Sequence, residues 1–186
     1  QLLFEMPKGG DLHEHLTGSG LAEWWFDEAL ASVAHGYVYY TKVKINNCRE
    51  YGAETLPGTA PYYLMFTNVT KARWQNLSAC EQGEYMLLSD LAPEVRAAWE
   101  NSIRLDKPTE GRDEFFEAHW SRLGDMSTNP WLVAELLYHN IQSFSEEGLI
   151  YMEPQLITQG YTMPDGALIP EAQVAEIFRQ RLSAKD

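Results

Sequence analysis

Basic residues are scarce in this chain. Its 14 Lys and Arg stand against 27 Asp and Glu, a formal net charge of −13. A surface this acidic repels phosphate backbones and anionic headgroups, so no nucleic acid and no membrane surface is expected as a partner. Long apolar runs are missing too; none approaches the roughly 18 residues of a membrane-spanning helix. Cysteine is limited to Cys48 and Cys80, too few for a four-thiolate zinc site. There is no internal repeat, no low-complexity tract and no visible signal peptide. The first residue is Gln1 rather than Met, which leads us to expect a processed or trimmed N-terminus. At 186 residues the chain is ample for a hydrophobic core but short of the roughly 250 residues of a complete (β/α)8 barrel. Its 45% hydrophobic and 22% charged residues exclude disorder throughout.

The two cysteines fall in a turn-rich stretch with Asn46, Asn47, Gly52, Pro57, Gly58 and Pro61. There they can bridge, which would imply an oxidising compartment, or remain two buried thiols. Asn68-Val-Thr70 and Asn76-Leu-Ser78 match the N-glycosylation pattern, which is common by chance.

Local patterns give a coarse element order. Glycines bracket a short strand from Leu12 to Leu16. A helix from Leu21 to Val33 follows, with Ser19 or Gly20 as its cap. Tyr37 to Ile45 alternates and is β-branched and aromatic, so it reads as a strand with no obvious partner. Leu87 to Ile103 reads as one or two short helices. Asn129 and Pro130 suit the N-cap and first position of a helix. Its apolar stripe is Val133, Leu136, Leu137, Ile141 and Phe144, with Gly148 as its stop. Leu149 to Glu153 is a short apolar run of the buried parallel-strand kind. A last helix spans Ile169 to Leu182. Strands alternating with helices predict an α/β fold with a parallel sheet or barrel.

The segment that carries chemistry is His13-Glu14-His15. Residues i and i+2 of a strand share a face, so both imidazoles can reach one ion about 2.0–2.1 Å from each nitrogen. Thr17 falls on that face; Glu14 points the other way with Leu12 and Leu16. The same triplet also reads as two polar residues on a solvated strand face. The other histidines offer no third ligand by spacing. His139 lies opposite the apolar stripe and reads as solvated, His119 as the edge of a core, and His35 as a cation favoured at a helix end.

Met6-Pro7-Lys8-Gly9-Gly10-Asp11-Leu12-His13-Glu14-His15-Leu16 resembles the first-strand signature of the adenosine deaminase family, within the metal-dependent amidohydrolase superfamily. The likeness is nearest to its secreted branch, the adenosine deaminase-related growth factors. Phe144-Ser145-Glu146-Glu147-Gly148-Leu149-Ile150-Tyr151-Met152-Glu153 resembles the helix end and second strand of that branch. The resemblance implies the N-terminal part, with the first two strands, of a (β/α)8 TIM barrel. After strand 1 it implies a mainly helical, disulfide-containing insertion at about 37–108 that carries Cys48 and Cys80. It makes His13 and His15 ligands of Zn2+, and Thr17, Phe115 and Phe116 candidate substrate-binding residues. Phenylalanines at helical spacing, such as Phe115 and Phe116, are more often plain core. The chain departs from the pattern at Thr17, where intracellular members carry Asp, at Leu16, where the secreted branch is acidic, and at Pro154-Gln155, where an apolar-Arg pair is usual. Glu14 would face apolar helices, where a carboxylate needs a partner or solvent.

The expectation is zinc-dependent hydrolytic deamination of adenosine or a related 6-aminopurine nucleoside by the complete protein. The remaining ligand and the proton-transfer groups would lie beyond Asp186, and residues 1–186 alone would be inactive. The partner is then a small purine nucleoside, a homodimer is among the assemblies allowed, and the location is periplasmic or extracellular. Two alternatives stay open. One is an amidohydrolase of another substrate, since the His-X-His strand is shared across the superfamily. The other is a non-catalytic purine- or receptor-binding module.

Overall fold

The structure is a computed structural model that describes residues 5, 6, 8–50 and 62–184. The turn residues Gly52, Pro57, Gly58 and Pro61, and Pro7 of the first motif, lie outside the described residues. The chain is mixed α/β. Its main elements are β1 (Gly10–His15), α1 (Ala22–Ala31), β2 (Tyr39–Lys42), β3 (Asn68–Thr70), β4 (Tyr85–Leu87), α2 (Pro93–Asn101), α3 (Pro130–Glu146), β5 (Tyr151–Gln155) and α4 (Glu171–Ser183). A helical stretch over 112–123 lies between α2 and α3.

Helix α3 is the centre of the packing. Asn129 caps it, its side-chain oxygen accepting from the backbone N–H groups of Trp131 and Leu132, and Pro130 takes the first turn. Gly148 ends it at φ 84°, a left-handed backbone that suits glycine. Leu132, Val133, Leu136 and Leu137 are buried against α1, α4 and the short turn of helix after β1. Ile141, expected on the same stripe, is 39% exposed. Helix α1 contributes Trp25 and Phe26, and Phe26 meets the Trp99 ring of α2 edge to face at 5.2 Å.

β1 and β5 pair in parallel, His15 opposite Gln155 and Glu14 opposite Pro154. The ladder is irregular between Asp11 and Glu14; Pro154 lacks the N–H that would have bonded there. The apolar run predicts a buried β5. It is not buried: Ile150 is 86% and Tyr151 55% exposed, since among the described residues no third strand or helix covers that side. Leu12 is likewise exposed while Leu16 is buried. The strand itself is displaced from the expected Leu12–Leu16, and Leu16 opens a short helical turn, Leu16–Ser19. Neither Ser19 nor Gly20 caps α1. Leu21 holds that position in extended backbone, because the Ser19 hydroxyl is committed to Glu14 and the Leu16 carbonyl.

The expected insertion at about 37–108 carries helical segments at Lys71–Gln75, Ala79–Gln82, Leu88–Asp90 and Pro93–Asn101, and these pack with a three-stranded antiparallel sheet, in order β3-β2-β4, that the sequence pattern does not mark. β3 and β4 are three residues each, too short for alternation to mark them; they are the partners that β2 lacked in the sequence. Cys48 and Cys80 form a disulfide. Beside it Lys42 and Glu84, both essentially without solvent exposure, pair at 2.9 Å, and the Lys42 ammonium lies 3.5 Å from the centre of the Tyr62 ring. Of the two sequon asparagines, Asn68 is fully buried, donating to the Phe66 and Arg122 carbonyls, whereas Asn76 is exposed.

Candidate functional site

The two histidines of β1 are exposed, and their Nε2 atoms lie 3.3 Å apart. That distance fits a hydrogen bond between differently protonated rings. It is also the separation that one ion requires: two nitrogens about 2.05 Å from a tetrahedral centre stand about 3.3 Å apart. The pair therefore fits two corners of a zinc coordination sphere. Asp11 Oδ1 accepts from the His13 backbone N–H at 3.0 Å and steadies the irregular part of the strand.

Glu14, between them, faces inward and is buried. Its Oε1 accepts from the Ser19 hydroxyl and, at 2.8 Å, from Asn140 Nδ2 of α3. Asn140 also donates to Ser19 Oγ at 2.7 Å. The carboxylate that the sequence left without a partner is thus what ties the histidine strand to α3. Burial pushes the Glu14 carboxyl above its ordinary range; the Ser19 hydrogen bond opposes this and the Asp11 charge adds to it. Glu14 Oε2 has no hydrogen-bond partner among the described residues.

Both parallel strands end at a cleft of about 370 Å³, where His15, Thr17, Gln155 and Ile157 meet Trp120 and Tyr161. The carboxyl ends of parallel strands are where open α/β sheets and barrels place their sites. Its walls are largely apolar and aromatic, with a few hydroxyls and amides, a composition suited to a small planar ligand. Burial pushes the Tyr161 phenol up to about 12, so it stays a neutral hydrogen-bonding group. No Asp, Glu, Lys or Arg lines the cleft among the described residues.

The sequence-derived residues do not all converge. His15 and Thr17 share the cleft; His13 borders it through His15. Phe115 lies behind Thr17, in a small pocket with Gly18 and Trp120. Phe116 is 59% exposed and lines neither. No motif marks Trp120 or Gln155 as a binding residue, although Gln155 follows from its register beside His15. His139 is not solvated: it bonds Glu28 at 2.9 Å and stacks on Trp24, because α1 packs across that face. His35 stacks on Trp131. His119 is buried and faces Glu110 and Glu114.

No protein-family model, curated protein sequence or solved structure matches the chain at a significant level.

Proposed function

We propose that this chain contributes two zinc ligands, His13 and His15, and one wall of the substrate cleft to a hydrolase that deaminates adenosine or a related 6-aminopurine nucleoside. The observation that carries the reading is the 3.3 Å spacing of the two Nε2 atoms at the carboxyl end of a parallel strand. Zinc, when bound, supplies the Lewis acidity that makes water nucleophilic near neutral pH. The chain's own residues hold and orient. Glu14, Ser19 and Asn140 anchor the strand behind the histidines, and Trp120 and Tyr161 offer flat walls to a purine. Thr17 and Gln155 offer neutral hydrogen bonds to its edge or its sugar. The cleft lacks a carboxylate among the described residues, so on this reading the group that protonates the ring comes from the rest of the complete protein, as a TIM barrel would arrange. The disulfide, together with the finding that no helix among the described residues is long and apolar enough to cross a membrane, favours a periplasmic or extracellular location.

The test is turnover by the complete protein, followed as adenosine disappearing and inosine forming by chromatography. We expect turnover, lost in both His13→Ala and His15→Ala with the melting temperature unchanged. Activity that survives both substitutions, or the absence of conversion of any 6-aminopurine nucleoside, overturns the proposal. Conversion of other cyclic amides or aminopurines alone would instead favour a different amidohydrolase.

A further inference from the structure

We propose that Glu110, Glu114 and His119 form a second divalent-cation site, separate from the His13–His15 pair. His119 is 2% exposed, and its Nε2 lies 3.8 Å from Glu110 Oε1 and 3.7 Å from Glu114 Oε1. One ligand atom from each of the three lies within 4.8 Å of the others. These separations are too long for hydrogen bonds. The two His119–carboxylate separations would have to close by about 0.5 Å, and the Glu110–Glu114 separation, within 4.8 Å, to a similar distance, to match the spacing of ligands around one tetrahedral ion. Nδ1 of the same ring is buried with no partner among the described residues. An ion between the carboxylates would satisfy Nε2, which faces them beyond hydrogen-bond distance; Nδ1, on the other edge of the ring, would still call for a partner such as ordered water.

The local backbone builds this grouping. The helical stretch 112–123 contains a π turn at Phe115–His119, whose i→i+5 bonding brings residues five apart onto one face. Glu114 and His119 are five apart. Glu110 is fixed from behind: its Oε2 accepts from the backbone N–H groups of Asp106 and Lys107 at 3.0 and 3.2 Å, leaving Oε1 to face His119. The three groups open on a cleft of about 410 Å³, which gives water room to complete a coordination sphere. Among the described residues, two cations face the site. Arg122 is committed to the Met65 and Ser102 carbonyls. Lys107, 3.4 Å from Glu110 Oε1 and largely exposed, is the group an ion would displace. One imidazole and two carboxylates suit a borderline ion such as Zn2+ or Mn2+.

Zn2+ titrated into the complete protein carrying His13→Ala and His15→Ala, followed by calorimetry, isolates this site from the first. We expect one site to remain, weakened on the order of 100-fold or more by Glu114→Gln and tightened by Lys107→Ala. His119→Gln should abolish it; because His119 is buried, the half-exposed Glu114 supplies the variant that leaves the fold intact, verified by cooperative unfolding. A His13→Ala/His15→Ala protein that binds no zinc overturns the proposal. Binding indifferent to Glu114→Gln and Lys107→Ala overturns it as well. Neither outcome depends on deaminase activity.

Discussion

Replacing Asn129 with alanine separates a helix cap from a buried junction. Asn129 has no solvent exposure. Its Oδ1 accepts from Trp131 N and Leu132 N at 3.0 and 3.3 Å, while Nδ2 donates to Ser32 Oγ at 2.9 Å and to Tyr39 Oη at 3.1 Å. One side chain thus joins the start of α3, the end of α1 and β2. Loss of the cap costs about 1 kcal/mol. Ser32 keeps its bond to the Glu28 carbonyl, so its loss is minor. The Tyr39 hydroxyl, in a residue 2% exposed, loses the partner it has among the described residues, at about 2 kcal/mol. The sum is about 3 kcal/mol, read as a lower urea midpoint at unchanged slope. The decisive comparison adds Tyr39→Phe. In the native background that change costs stability, since it leaves one of the two Asn129 Nδ2 hydrogens without a partner, the other still donating to Ser32 Oγ. In the Asn129→Ala background it removes an orphaned hydroxyl and should restore about 1 kcal/mol. If Asn129→Ala costs under about 1.5 kcal/mol, and Tyr39→Phe has the same effect in both backgrounds, Asn129 is a cap and nothing more.

Four further outcomes follow from the same kind of reasoning. Glu84→Gln strands the buried Lys42 ammonium and should cost about 3–5 kcal/mol by denaturant unfolding. Burial alone would raise the Glu81 and Glu84 carboxyls, but their hydrogen bonds and cationic partners outweigh it and hold both below the ordinary glutamate value of 4.5. Their folded state therefore binds fewer protons than the unfolded one, and stability, level near neutral pH, should fall as pH drops below 4.5; an unfolding free energy flat to pH 3 would contradict this. Gly124→Ala should destabilise by about 3 kcal/mol or more, since φ is 53° and a Cβ would lie 2.1 Å from the Asn68 carbonyl oxygen; expression at wild-type melting temperature would refute it. Reducing the Cys48–Cys80 bridge, 32 residues apart in sequence, should cost about 3.7 kcal/mol in the chain-entropy model, measured as the shift in urea midpoint with reductant.

Long elements with their own punctuation are legible in the sequence. α3 combines an Asn-Pro start, a 3.6-residue stripe and a glycine stop, and each acts locally, so the sequence alone locates the helix. The bridge is legible in a weaker sense, since two cysteines in one turn-rich stretch have few other uses. β3 and β4 are not, because a three-residue strand is defined by its neighbour's hydrogen bonds rather than by its own pattern. His139 shows the same limit from the other side: its helix face is polar by periodicity, yet α1 lies across it and converts a solvated imidazole into a stacked, hydrogen-bonded one.

The two candidate metal sites differ in the same physical way. His13 and His15 obey the two-residue period of a strand, so their convergence follows from spacing alone. Glu114 and His119 are five apart, a spacing that a regular α-helix sends to different faces. Only the extra residue of a π turn brings them together, and that turn forms where Trp120 must reach Gly18 and Leu123 must reach the core. The shift of register that seats Trp120 beside the first site's cleft is therefore the one that assembles the second. An ion held by Glu110, Glu114 and His119 would fix the helical stretch from which Trp120 projects. Were both ions bound, that tryptophan would link the two sites mechanically although they share no ligand.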